Sequence, residues 1–227
     1  MEFSLTTPLE SSLPVSASER LWSIPWGKLL PAPLTAAGVS LRRVSYEEAG
    51  AFAAEHFERI FDEESSSSAF RFQESGAARS HYYRLFGDVF AFSHEGRIVG
   101  IAACNPTDWA SYYIRNVSLL PEYEGRNLSN AFLKLLITRL PSYGVERLEL
   151  ETSPANLTVI QIVTRHGFNL TGQSSTERWG NLLRFTKFLD GRAEAAFLDQ
   201  FCSGRKPQLQ RGPATVAIKP HVNKEDV

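Results

Sequence analysis

Val117-Ser118-Leu119-Leu120-Pro121-Glu122-Tyr123-Glu124-Gly125-Arg126-Asn127-Leu128-Ser129 passes directly from strand-like to helix-like sequence. Pro121 ends the extended run and Gly125 supplies the turn. Leu128, Ala131, Phe132, Leu135, Leu136 and Leu140 then recur at three- and four-residue steps, making one apolar stripe. The helix therefore begins near Gly125 to Leu128. Its first N–H groups have no intrahelical partners, and its dipole favours an anion there. Such a turn suits a phosphate-bearing cofactor, a pyrophosphate above all, with Arg126 as a flexible counter-charge. The same spacing also fits an ordinary strand-to-helix turn with a surface arginine, so the flanking elements must decide.

Those elements follow a recognisable order. Val39–Val44 reads as a strand, Tyr46–Phe61 and Ser75–Phe86 as helices. Asp88–Ser93 and Arg97–Cys104 flank His94-Glu95-Gly96 as a hairpin, and Tyr112–Leu120 follows as the fourth strand. After the phased helix come a fifth strand, Arg147–Thr152, and a helix over Asn156–Arg165 with a glycine stop at Gly167. Phe168–Leu170 and Leu182–Leu189 close the series as strands.

This order, together with two motifs, resembles the GNAT superfamily of acyl-CoA-dependent N-acyltransferases over roughly residues 39–190. L-x-P-x-Y-x-G before the phased helix is similar to the family's V-x-P-x-Y-R-G signature. L-E-T-S-P-A-N, followed by R-H-G-F, is similar to its second signature. The resemblance implies an α/β fold: a mixed, mostly antiparallel twisted sheet with flanking helices, splayed between its fourth and fifth strands. It implies acetyl-CoA as acyl donor and CoA as product, with the main chain of Val117 and Leu119 pairing the pantetheine amides. Glu124, Gly125, Arg126, Asn127, Leu128 and Ser129 would form the pyrophosphate loop, and Asn156 would approach the pantetheine from the far side of the splay.

The chain departs from the family's pattern at three places. Glu124 sets an anion beside a bound anion, which is unfavourable unless its side chain turns into solvent. Asn127 stands where close approach usually requires glycine, although asparagine tolerates left-handed backbone angles better than most residues. Val163 occupies the position where the family commonly carries a tyrosine that protonates the departing thiolate, and valine donates no proton. Tyr112, Tyr113 and Ser129 are the substitutes within the motifs, with water another. Sheet packing is the competing reading of both tyrosines.

Direct attack of an amine on a thioester requires a base and an oxyanion donor. Glu151 is the best base, because it matches a carboxylate five residues before the asparagine in some family members. Glu149 and Glu151 are also the polar alternates that any L-E-L-E strand would carry. The resemblance puts acceptor recognition between the first and second strands. Asp62-Glu63-Glu64, the serine run Ser65–Ser68, Phe70-Arg71-Phe72 and His81-Tyr82-Tyr83 lie there. The acidic patch either attracts a cationic amine or is a solvated helix end.

The chain has 227 residues, of which 43% are hydrophobic, enough for one domain with a good core plus extensions. We read residues 1–38 as an N-terminal extension, 39–190 as the acyltransferase domain, and 191–227 as a helix and polar tail. Trp22 and Trp26 make the N-terminal part too apolar for a featureless linker, so it docks on the sheet or on a neighbouring subunit. A net charge of −1 argues against a nucleic-acid partner. Cys104 and Cys202 make no disulfide framework, no Cys/His cluster has metal-ligand spacing, and no run reaches the ~18 apolar residues of a membrane span. The expectation is a cytoplasmic monomer or homodimer acetylating a small-molecule amine or a peptide or protein amine. The alternatives are a longer acyl donor, and a degenerate fold that binds acyl-CoA or a protein partner without turnover.

Overall fold

The chain folds in the order α1 (Ala17–Trp22), α2 (Trp26–Leu29), β1 (Ala32–Pro33), β2 (Val39–Arg43), α3 (Tyr46–Ile60), α4 (Ala77–Phe86), β3 (Asp88–His94), β4 (Arg97–Pro106), β5 (Ser111–Leu119), α5 (Leu128–Arg139), β6 (Arg147–Thr152), α6 (Leu157–Arg165), β7 (Asn169–Thr176), β8 (Gly180–Phe188) and α7 (Gly191–Phe201). These assignments come from a computed structural model, which describes residues 13, 15–34, 38–60, 77–176 and 180–201. All eight strands join one sheet in the order β1-β2-β3-β4-β5-β6-β8-β7. Every neighbouring pair is antiparallel except β5 and β6. Because the short β1 precedes Val39, the fourth and fifth strands of the sequence reading are β5 and β6. The chain divides into two compact units at Asp190 and Gly191. Of the second, α7 is described: none of its residues is buried, and the Phe197 and Phe201 rings lie 5.2 Å apart.

Local chemistry accounts for the element boundaries. Glu95 and Gly96 both take positive φ, 49° and 78°, as a two-residue hairpin turn between twisted strands demands. Asn156 caps α6 by accepting from the Val159 N–H at 3.1 Å, and Gly167, at φ 73°, ends it. Leu128, Phe132 and Leu136 of the apolar stripe are buried as expected, and Leu133 joins them. The last two strands run further than their apolar cores suggest, reaching Thr176 and starting at Gly180. The added stretches, residues 171–176 of the edge strand β7 and Gly180-Asn181 of β8, are polar, and the pairing of β7 with β8 holds residues that local propensity would leave in a loop.

The N-terminal segment is part of the core. Trp22, Ile24 and Trp26 are buried among sheet residues, with Trp26 edge-on to Phe90 at 4.9 Å and Trp22 edge-on to Tyr112 at 6.0 Å. Ser16 closes a capping box with Glu19. The Ser18 hydroxyl donates to Asp88 Oδ2, which also accepts from the Tyr112 hydroxyl at 2.7 Å. Trp26 Nε1–H donates to Ser18 Oγ at 3.1 Å. Since a hydroxyl has one proton and Ser18 gives it to Asp88, Ser16 must be the donor in the 2.9 Å Ser16–Ser18 contact. Asp88 is fully buried, and burial raises its pKa although Ser16, Ser18, Tyr112 and Arg43 all act to lower it.

What opens the sheet is β5. In its register with β4, Ala103 faces Asn116 while Cys104 faces Ile114, so Arg115 is an extra residue. A bulge bends its strand and increases the local twist. Against β6, β5 pairs only through Ser111, Tyr112 and Tyr113 with Arg147, Leu148 and Glu149. Beyond that point β6 continues on β8 through Thr152, and β5 continues on β4 through Leu119. The two strands part after Tyr113, just before the bulge.

Candidate active site

The parted edge of β5 exposes a definite set of main-chain groups. Leu120 N–H donates back across β4 to Val99 O at 2.9 Å. Antiparallel ladders alternate the neighbour to which successive residues turn their N–H and C=O, so Ser118 also addresses β4. Val117 and Leu119 therefore turn theirs to the opposite edge, into the splay.

At the top of the splay lies the turn. Gly125 takes φ 68° and Asn127 φ 64°, both left-handed. Asparagine thus occupies a backbone conformation that otherwise favours glycine, at little steric cost. Asn127 is the N-cap of α5 but its side chain makes no capping bond. The helix N-terminus is therefore left to other partners. Glu124, Gly125, Arg126 and Asn127 are exposed, so Glu124 is free to face solvent, Leu128 is buried, and Ser129 is half-buried. Arg126 lies over the Tyr123 ring, 4.6 Å from its centroid.

Across the splay, Asn156 stands at the start of α6 with Oδ1 committed to its own helix. Val163 is buried in the core. His166, at the end of α6, meets Asn130 Oδ1 in the first turn of α5 at 3.1 Å. Burial and the neighbouring Lys134 lower the His166 pKa, so near neutral pH its ring is uncharged.

Below the splay, a groove of about 490 Å³ opens between β5, β6 and β8, lined by Asp108, Tyr113, Arg147, Glu149, Glu151 and Arg184 among others. Arg184 Nε and Nη2 both reach Glu151 Oε1, at 3.1 and 2.9 Å. Glu151 Oε2 faces the Tyr113 hydroxyl at 3.5 Å, at the long limit of a hydrogen bond, on a side chain that is 16% exposed. Burial and the Glu151 carboxylate push the Tyr113 pKa up to about 12. Tyr113 accordingly keeps its proton and acts as a donor. Arg147 bonds Ser111 Oγ at 2.9 Å and pairs with Asp108 at 3.0 Å. Partial burial works against ionisation of Asp108, but the Ala110 and Ser111 N–H groups and Arg147 hold its pKa below the ordinary value.

Tyr112 is not in this groove. Successive strand residues face opposite sides of a sheet, and Tyr112 is fully buried with its hydroxyl spent on Asp88. It is a core residue, and only Tyr113 of the two candidate acids reaches Glu151. Asp62-Glu63-Glu64, Ser65–Ser68 and Phe70-Arg71-Phe72 lie outside the described residues. His81 is exposed on α4. Arg184 was not anticipated from the sequence. Its signal is the direct cross-strand pairing of Glu151 with Arg184, which is visible only once the register is known. Among the described residues, no group of three His, Cys, Asp or Glu side chains is placed to hold a metal, and no helix is long and apolar enough to cross a membrane.

A mostly antiparallel sheet that opens between two parallel strands, under a helix N-terminus fed by a left-handed turn, is the architecture of a GNAT acyltransferase. Residues 51–168 match the model of the acetyltransferase (GNAT) family, and the chain belongs to that family. Among solved structures it is similar to the ribosomal-protein-S18-alanine N-acetyltransferase from Escherichia coli, at 19% identity and a TM-score of 0.52 over 67% of this chain and 94% of that one. It is also similar to yncA from Salmonella typhimurium, solved with its cofactor acetyl-CoA, at 17% identity and a TM-score of 0.52 over 67% and 94% of the two chains. A third similar structure is a spermidine N-acetyltransferase variant from Vibrio cholerae, at 13% identity and a TM-score of 0.51 over 70% and 98%. At these identities the likeness is one of fold. No curated protein matches the sequence.

Proposed function

We propose that this protein is an N-acetyltransferase that moves an acetyl group from acetyl-CoA to a primary amine within a ternary complex. The observation that carries this reading is the splay itself, in a member of this family: β5 presents the main chain of Val117 and Leu119 along an open edge that leads to the uncapped start of α5. The solved relative with acetyl-CoA bound supports the donor. The local fit is favourable, because Gly125 and Asn127 are already left-handed and Arg126 is exposed beside them. Val117 and Leu119 would bind the pantetheine amides. Residues 124–129 would hold the pyrophosphate, and Asn156 would flank the pantetheine.

The acceptor would enter through the groove below the splay. Glu151, through Oε2, takes a proton from the ammonium, and the freed amine attacks the thioester carbonyl carbon. A C–N bond forms, the C–S bond breaks, and CoA leaves as a thiolate that takes up a proton as the amide nitrogen loses one. Tyr113 donates a hydrogen bond to the charge that develops. With Val163 buried in place of the family's tyrosine, Tyr113 is the hydroxyl that faces Glu151. A small-molecule amine and a peptide or protein amine are both compatible with the groove, and a cytoplasmic site of action fits the two cysteines.

Thermal unfolding with and without acetyl-CoA tests the reading first. A rise in Tm that grows with acetyl-CoA concentration is expected, and no shift with any acyl-CoA overturns it. Thiol release across a panel of amines comes next. Binding without release would favour the second reading, a non-catalytic acyl-CoA-binding module, which the Arg184–Glu151 pair and Val163 support. In an active enzyme, Glu151→Gln should cost about a hundredfold in kcat or more while CoA binding stays intact.

A further inference from the structure

The turn holds its only cation on a built support. Of residues 124–129, Arg126 alone is positively charged, and Glu124 stands two residues before it. Glu122, just outside the turn, is answered by Arg59 of α3, whose Nη2 reaches both carboxylate oxygens at 3.0 Å. Glu124 has no ion pair among the described residues. An anion approaching the start of α5 therefore meets Glu124 with no cation paired to it among the described residues, and binding depends on where Arg126 keeps its guanidinium. A free arginine on an exposed loop would spread that charge over many rotamers.

Arg126 is not left free. Its guanidinium lies 4.6 Å from the centroid of the Tyr123 ring, within cation–π range. The Tyr123 hydroxyl is in turn 2.9 Å from His94 Nδ1, and the two rings meet edge to face at 5.7 Å and 68°. His94 is the last residue of β3, anchored in the ladder opposite Val39 and Arg97. Thus the sheet fixes His94, His94 fixes Tyr123, and the Tyr123 face supports Arg126.

We infer that His94 and Tyr123 are positioning residues that set the affinity of the α5 turn for the phosphates of acyl-CoA by holding Arg126 in place. The inference rests on the proposed acyl-CoA site. It explains how a turn with Glu124 can still take an anion: pre-organisation of one cation lowers the ordering cost of binding and offsets the opposing carboxylate. Neither His94 nor Tyr123 need touch the ligand.

The test is CoA binding by calorimetry at two ionic strengths, on the full chain, with each variant's thermal unfolding as a check on folding. Arg126→Ala should weaken binding about tenfold and flatten its salt dependence, because a screened charge pair is lost. Tyr123→Leu should weaken it about fivefold, and Tyr123→Phe, which keeps the ring, by less. His94→Ala should cost about two- to threefold in the wild-type background and nothing further in the Arg126→Ala background, since coupled residues are not additive. An equal loss from His94→Ala in both backgrounds, or an unchanged salt dependence in Tyr123→Leu, overturns the inference. If the wild-type chain itself binds no CoA, the acyl-CoA reading falls and takes this one with it; intact wild-type binding with unaffected variants removes this one alone.

Discussion

Tyr112 and Tyr113 are adjacent on β5, and each sends its hydroxyl to a carboxylate, yet the two pairs differ in kind. Tyr112 bonds Asp88 at 2.7 Å inside a closed core, where Ser18 shares the same oxygen and Trp26 covers the group. Tyr113 stands 3.5 Å from Glu151 at the wall of an open groove, with Arg184 on the far oxygen. A short, enclosed, multiply bonded pair is built for stability. A long, half-open pair with a spare oxygen is built to exchange partners. The one strand that serves both purposes does so because its side chains alternate, and because the bulge at Arg115 leaves the strand paired on one edge and open on the other.

If the closed side is the structural one, its largest support should be the aromatic cover. Trp26→Ala removes a buried indole, its edge contact with Phe90 and its bond to Ser18. We expect a loss of about 3–5 kcal/mol in unfolding free energy, measured by denaturant titration. A loss under ~1 kcal/mol would show that α1 and α2 are not integral to the core. Tyr112→Phe, which takes one of two donors from buried Asp88, should cost about 1–2 kcal/mol in the same measurement.

Stability against pH separates the two sides by sign. Asp88 has a pKa raised above its ordinary 3.8, chiefly by burial, so the folded state holds its proton more tightly than the unfolded chain. Its contribution is fully present below the unfolded value and is lost as pH rises through the folded one. Asp108, on the groove side, has a lowered pKa, so its contribution is present above the ordinary value and is lost as pH falls. Asp88→Asn should therefore remove a decline in stability that begins near pH 4, whereas Asp108→Asn should remove a gain over the acid range. Difference curves against the wild type isolate each term, and curves of the same sign for both variants would contradict the assignment.

How much of this was legible in the sequence divides along the same line. The β5–α5 turn could be read because helix periodicity, Pro121 and Gly125 are local signals, and the strand around Glu151 because alternation is local too. The splay needed the family resemblance, since the bulge at Arg115 carries no glycine or other sequence mark. Asp88 opens a strand and reads as an ordinary boundary residue. Only the return of Ser16, Ser18 and Trp26 from about seventy residues away in sequence reveals it as the centre of a buried network. For the same reason Tyr112 and Tyr113 looked equivalent as acids. Strand alternation separates their faces, but no local pattern says which face an N-terminal segment will cover.

The smallest expected effect on stability is at Tyr113. A 3.5 Å contact, at the long limit of a hydrogen bond, contributes little, so Tyr113→Phe should change unfolding free energy at neutral pH by no more than about 0.5 kcal/mol. The group's pKa of about 12 lies above the ordinary 10.0, raised by burial and then by Glu151. The wild-type chain should therefore lose stability as pH climbs from 10 towards 12, because the unfolded tyrosine gives up its proton first. Tyr113→Phe should be spared its own share of that loss, while buried Tyr112, whose pKa burial also raises, keeps its share. Within the working range of an acetyl transfer Tyr113 never ionises, so in an active enzyme the substitution should lower kcat evenly across pH and leave the alkaline limb of the profile where it was. A limb that moves with Tyr113→Phe would mean that Tyr113 gives up its proton during turnover, and would make it a general acid instead of a fixed donor.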